Sequence, residues 1–174
     1  MTNEPQIKVP LRYLPRRLTK KDQRKQLQML MKSRRLYKKG KYYTRAPVAS
    51  YVHKPSKHVI RARKIYQVDN ISPNEELAQK TGCTLDALQQ IVKKGEGAYY
   101  SSGSRPNQTA QSWGIARLAS ALTAGKAAAV DYNILEKGCD HNKRAFLLAK
   151  QSRKKYRFGQ SKTKKVKLSG PPHP

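Results

Sequence analysis

Charge is the feature that most limits what this chain can fold into. Its 174 residues carry 38 Lys and Arg against 10 Asp and Glu, a formal net charge of +28. Repulsion at that charge opposes a compact monomer and attracts polyanions. The excess is uneven along the chain. Met1–Gln67 holds 20 basic residues and two acids, Glu4 and Asp22, for +18. Val68–Asn142 holds 7 basic and 8 acidic residues, for −1, and Lys143–Pro174 holds 11 basic residues and no acid, for +11. This pattern predicts three parts. They are a basic arm with one amphipathic helix over 1–67, a near-neutral folded helical domain over 68–142, and a basic C-terminal helix and tail over 143–174. A near-neutral segment can collapse around a core, whereas arms this basic bury too little apolar surface to fold alone and are expected to order on a partner. The expected fold class is mainly α. A small helical middle domain, built from a helix-turn-helix-like pair plus a third helix, carries long, largely extended basic arms.

Aliphatic and aromatic residues make up 37% of the chain, low for a compact enzyme. No run approaches the roughly 20 apolar residues of a spanning helix, so the chain is expected not to be transmembrane. The start, Met1-Thr2-Asn3-Glu4-Pro5, lacks the apolar stretch of a secretory signal. Cys83 and Cys139 read as two reduced thiols of an intracellular protein.

Within the first arm, Thr19 and Asp22 resemble a capping box, and Lys20–Lys39 contains neither Pro nor Gly. Leu27, Leu30, Met31 and Leu36 form a narrow apolar stripe there, and Gly40 fits a C-cap. Over Lys41–Gln67, Tyr42, Tyr43, Tyr51 and Tyr66 alternate with cations, and Pro47 and Pro55 interrupt the run. Val59-Ile60 and Ile65–Val68 read as short strands or extended chain. The last arm opens as a helix from Lys143 to about Lys154, with Phe146, Leu147 and Leu148 as its apolar face. Ser169–Pro174 reads as an irregular tail.

The middle holds the organised signals. Ser72-Pro73-Asn74-Glu75 predicts a helix start with Ser72 as N-cap, running to about Thr81 and ending at Gly82. Thr84 caps a second helix, Leu85–Lys94, that stops at Gly95. The short turn containing Gly82, with Ala78, Leu88 and Ile91, matches a helix-turn-helix layout. Asp86 near the start of the second helix is unfavourable for reading a DNA groove, which favours packing or protein contact. Gly95–Thr109 reads as a shaped loop, and without the spacing of a phosphate cradle it is treated as a connector. Thr109 caps a third helix, Ala110–Ala124, with Trp113, Ile115, Leu118, Ala119 and Leu122 facing inward. Ala127–Leu135 fits strand or helix. Cys83, Cys139 and His141 fall short of a zinc ligand set, and the scattered acids and histidines form no catalytic group. No metal, no cofactor and no enzymatic activity are expected.

The segment from Lys93 to Leu135 resembles a stretch of uncharacterised proteins of large double-stranded DNA viruses, the chlorella-virus and mimivirus-like groups. The likeness is carried by Lys94 through Thr109, by Ser112-Trp113-Gly114, by Ala116-Arg117-Leu118-Ala119-Ser120 and by Gly125-Lys126-Ala127. It implies a virion protein, a structural minor capsid component of a large icosahedral DNA virus, cementing capsomers from the inner side. The implied partners are the major capsid protein and other minor capsid proteins, with viral DNA or an anionic inner-membrane surface facing the basic arms. Its implied place is the inner side of the capsid within a large assembly, made in the host cell interior and not secreted. The alternative that charge alone supports is a nucleic-acid-binding protein, ribosomal-type or genome-condensing. Its arms would neutralise phosphates and its tyrosines would stack on bases. Expected partner or phosphate contacts are Arg16, Arg17, Lys20, Lys21, Arg24, Arg34, Arg35, Arg45, Arg61, Arg63, Arg153, Lys154, Lys155, Arg157, Lys164 and Lys165. Trp113, Tyr99, Tyr100 and Arg105 are expected as interface or core anchors.

Overall fold

The structure is a computed structural model and describes residues 7–168. Ser169–Pro174, expected as an irregular tail, lies outside the described residues. The fold is mainly helical. The chain groups into two compact units that cut across its charge segments. Unit one comprises Met1–His53, Ala98–Thr109 and Lys162–Pro174, and unit two comprises Lys54–Gly97 and Ala110–Ser161.

Unit one contains β1 (Ile7–Pro10), a 3-10 turn at Leu11–Tyr13, α1 (Lys20–Lys38) and β2 (Lys165–Leu168). β1 and β2 pair antiparallel with Val9 opposite Val166, so the two basic ends of the chain meet in one sheet. α1 starts where the capping box places it, with the Asp22 amide donating to Thr19 Oγ1 at 3.2 Å. Its buried side differs from the expected stripe. Gln26, Met29, Leu30 and Ser33 are buried, while Leu27, Met31 and Leu36 are only half-buried. The polar members are tolerated because each has a partner. Gln26 Nε2 donates to the Tyr13 carbonyl at 3.2 Å and Ser33 Oγ to the Tyr100 carbonyl at 3.0 Å. Leu18, Met29, Val48 and Tyr51 form a small core with Tyr43 packed against it.

Unit two is built from α2 (Lys57–Tyr66), α3 (Glu75–Thr81), α4 (Leu85–Ser101, its last turn counted with unit one), α5 (Ala110–Leu122), α6 (Lys126–Val130), α7 (Tyr132–Gly138) and α8 (Arg144–Lys155). One continuous core, including Leu77, Leu88, Ile91, Leu118, Leu122, Leu135 and Phe146, ties these helices together.

Several expectations need correction. The arms are not extended throughout, since α1, α2 and α8 supply 19, 10 and 12 helical residues within them. The strands expected at Val59-Ile60 and Ile65–Val68 are absent, and α2 covers most of that stretch. Ser56 accepts from the Val59 amide at 3.4 Å, and Val59, Ala62 and Tyr66 fall on one helical face against the core. The N-cap of α3 is Asn74, accepting from the Leu77 amide at 2.9 Å, rather than Ser72. Gly82 does end α3, in the left-handed conformation at φ 75°.

The second helix of the pair does not stop at Gly95. α4 passes through Gly95 and Gly97 to Ser101, so the expected loop is half helix. The glycine there serves a close approach. A Cβ on Gly95 would sit 2.6 Å from Gly114 Cα, and one on Gly114 would sit 2.7 Å from the Val92 carbonyl oxygen. α4 and α5 therefore pack backbone to backbone at this point, and the packing outweighs the helix propensity lost at Gly.

Cys83 and Cys139 form a disulfide, which corrects the expectation of two reduced thiols. The α3–α4 turn and the end of α7 meet in a short antiparallel bridge. The Thr84 amide donates to the Gly138 carbonyl at 2.7 Å and the Asp140 amide to the Gly82 carbonyl at 2.8 Å. That pairing sets the two cysteines opposite each other across 56 residues of sequence. Among the described residues, no helix is long and apolar enough to cross a membrane.

Candidate polyanion-binding site

Charge within unit one is almost uncompensated. Lys and Arg number 15 in Met1–His53, one in Ala98–Thr109 and four in Lys162–Pro174, twenty in all. Among the described residues of unit one the only acid is Asp22. That carboxylate is directed inward. Hydrogen bonds from the Ser50 hydroxyl and backbone amide, the latter at 2.8 Å, hold its carboxyl below the usual range. It organises the loop over α1 and does not neutralise the surface.

Five of these cations line one concavity of about 560 Å³, whose walls are Leu11, Arg12, Pro15, Arg16, Arg17, Arg105, Thr163 and Lys164. It shares Leu11, Arg16 and Lys164 with an adjoining groove of about 520 Å³ that adds Leu14, Gln23, Lys165, Val166, Lys167 and Leu168. Seven cationic side chains and no carboxylate line the combined surface.

Local structure explains the convergence. The Leu11 amide donates to the Lys164 carbonyl at 2.9 Å, extending the β1–β2 ladder and placing Arg12 beside Lys164. Gln23 Nε2 donates to the Arg16 and Leu18 carbonyls, both at 3.3 Å, and fixes the Pro15–Leu18 bend. Arg17 lies over the Tyr51 ring at 5.9 Å. Arg105 arrives on a loop held from two sides. Asn107 accepts from the Val48 amide at 2.7 Å and donates to the Val48 and Tyr51 carbonyls. At Gly103, φ is +133° and a Cβ would lie 2.7 Å from Leu30 Cδ2, so only glycine fits the bend that precedes Arg105.

Of the expected contact residues, Arg16, Arg17, Lys164 and Lys165 are brought together here, and Arg105, expected as an anchor, joins them. Arg105 is exposed and is not a core anchor. Arg12 is a lining residue that reading the sequence missed, because a single arginine beside an aromatic carries no pattern. Lys20, Lys21, Arg24 and Arg35 are exposed on α1, while Arg34 is half-buried with its Nε donating to the Ser102 carbonyl at 2.8 Å. Burial pulls the Arg34 guanidinium below its usual pKa.

Arg45 is a correction. It is buried and unavailable to a phosphate. Its Nη1 donates to Ser33 Oγ at 3.0 Å and the Tyr99 carbonyl at 2.8 Å, its Nη2 to Ser104 Oγ at 2.9 Å, and its guanidinium lies 3.8 Å from the Tyr99 ring centroid. Burial lowers its pKa, and cation–π contact with hydrogen bonding takes the place of a carboxylate. Tyr99, expected as an anchor, is the buried partner of this arginine, and Tyr100 is half-buried beside it.

The remaining expected residues belong to unit two. Arg61 and Arg63 are exposed on α2, and Lys154, Lys155 and Arg157 are exposed at and beyond the end of α8. Arg153 is half-buried over the rings of Tyr132 (4.4 Å) and Phe158 (4.7 Å). Trp113 is half-buried on α5.

Unit two directs charge inward as well as outward. Asp131 is buried and accepts from Arg117 Nε at 2.7 Å, Arg117 Nη2 at 2.8 Å and Lys94 Nζ at 2.6 Å. Burial pushes its carboxyl up, but the Arg117 and Lys94 hydrogen bonds outweigh it and hold the pKa below the usual range. His141 stacks on Phe146 at 4.0 Å with Nε2 2.7 Å from the Glu136 carbonyl.

A model of a family of unknown function, DUF5824, matches residues 10–146. The match spans most of the chain, and the chain belongs to that family. No curated protein and no solved structure matches it.

Proposed function

We propose that this member of a family of unknown function is a structural nucleic-acid-binding protein with no chemical step of its own. The observation that carries the reading is the concavity of unit one, where Arg12, Arg16, Arg17, Arg105 and Lys164 converge with no carboxylate among the lining residues. Guanidinium groups match the spacing of phosphate oxygens, and several on one face track a backbone without reading sequence. The lone described acid of unit one is engaged by Ser50 and leaves that charge for a partner. Lys20 and Lys21 at the start of α1 are exposed and add to the positive charge of unit one.

A second reading is favoured by the likeness of Lys93–Leu135 to proteins of large double-stranded DNA viruses. It makes the chain a minor capsid component on the inner side of an icosahedral virion, in contact with the major capsid protein and other minor capsid proteins. The two readings meet where an inner shell face touches packaged DNA.

The test is binding of the full chain to labelled duplex DNA at rising salt. Each phosphate neutralised contributes about −0.9 to the slope of log affinity against log salt, and several contacts predict a slope of about −4 or steeper. A slope near zero contradicts the reading. In source particles, nuclease should release the chain. Retention on protein shells after nuclease and high salt would favour the capsid reading instead.

A further inference from the structure

Unit one also carries a row of tyrosines that the phosphate-binding concavity does not use. Tyr37 lies near the end of α1, Tyr42 follows the Gly40 turn, and Tyr99 and Tyr100 lie in the last turn of α4. The Tyr37 and Tyr42 ring centroids are 6.2 Å apart, those of Tyr42 and Tyr100 5.0 Å, and those of Tyr100 and Tyr99 5.1 Å in an edge-to-face contact. The row is rooted in the interior. Tyr99 is fully buried under the Arg45 guanidinium, and its hydroxyl accepts from the Arg45 amide at 2.9 Å. It ends in solvent, with Tyr42 71% and Tyr37 38% exposed.

The surroundings select a partner. Lys38, Lys39, Lys41 and Arg35 are exposed close by in sequence, and no Asp or Glu occurs from Gln23 to Val68. Rings held in place, with exposed cations close by in sequence, combine the two requirements for unstacked bases, an aromatic surface for the base and positive charge for its phosphate. An acidic protein segment could meet the cations and pack on a ring, but a series of rings spaced about 5–6 Å apart suits successive unstacked bases better. A duplex keeps its bases stacked on each other and can meet only the cations.

We infer that the Tyr37–Tyr42–Tyr100 row is a base-stacking platform for single-stranded nucleic acid. The inference rests on the nucleic-acid reading above and adds which strand form this surface takes. Tyr42 is its outermost ring, so an incoming base stacks there first.

The experiment uses the full chain, a fluorescein-labelled oligothymidylate of about twelve nucleotides, and a labelled duplex, read by anisotropy. Tyr42→Ala should weaken oligothymidylate binding about tenfold. It should leave duplex affinity and both salt slopes unchanged, because no charge is removed. Tyr42→Phe should bind as the unaltered chain does. The exposure of Tyr42 keeps both variants folded, which circular dichroism checks. Unchanged oligothymidylate affinity in Tyr42→Ala, or an equal loss on duplex, overturns the platform while a steep duplex salt slope leaves the broader reading standing. Failure of the unaltered chain to bind either probe overturns both.

Discussion

Units one and two hold nearly the same number of cations, twenty and eighteen, but two acids against eight. Unit two has a continuous core from Ala62 to Ala149, a disulfide and a buried acid shared by two cations. Unit one has a small core, a short two-stranded sheet and a buried arginine without a carboxylate. The difference teaches that net charge alone does not assign a role. What matters is whether the charge is answered inside the same unit. In unit two Asp131 answers Lys94 and Arg117 in the interior, which favours stability. In unit one Asp22 is the only described acid, and apolar packing with backbone hydrogen bonds must hold the fold against the repulsion.

The sharpest way to break this contrast is at the disulfide. Closing 56 residues stabilises unit two by about 4 kcal/mol in the chain-entropy account. Replacing both Cys83 and Cys139 with Ala should lower the unfolding midpoint reported by the lone Trp113, which lies in unit two. DNA affinity measured below that transition should not change. An unchanged midpoint would mean the core alone supports unit two.

Asp131→Asn comes next, at about 2–3 kcal/mol, moderated because Arg117 and Lys94 remain partly in solvent. The pKa of Asp131 is lowered on folding, so its contribution is fully present above the unfolded value of about 4 and is lost as pH falls through the folded value. Denaturant unfolding at a series of acidic pH values should show the unaltered chain and the Asn variant converging as the pH drops. Parallel curves would remove Asp131 from the stability of unit two.

Much of the helical layout is legible in the sequence. Gly82, the Thr84 cap, α5 and α8 follow from capping residues and apolar spacing, because those signals are local. α2 hides behind β-branched and aromatic residues that also suit a strand, and only the core it packs on decides. Gly95 reads as a breaker until Gly114 is known to lie against it. The disulfide is invisible for the same reason, since its partners meet only through tertiary folding. At the site, Arg16, Arg17 and Lys164 are singled out as contacts, and Arg105 as an anchor. Their convergence depends on the β1–β2 pairing, which joins opposite ends of the chain. Arg45 shows the converse error, because nothing local distinguishes a buried arginine from an exposed one.

The central claim is that the concavity of unit one holds phosphates, and one comparison tests it most directly. Arg12, Arg16 and Arg105 are replaced together with Ala, and in a second variant Lys154, Lys155 and Arg157 of unit two are replaced with Ala. Both variants lose three charges and should keep stability to within about 0.5 kcal/mol, since the residues lie outside the cores. For duplex DNA, the concavity variant should flatten the log affinity against log salt slope by about 2–3, roughly one per phosphate contact removed, and the unit-two variant by less than about 1. Equal flattening in the two would show that net charge, not the concavity, governs binding, and would contradict the account.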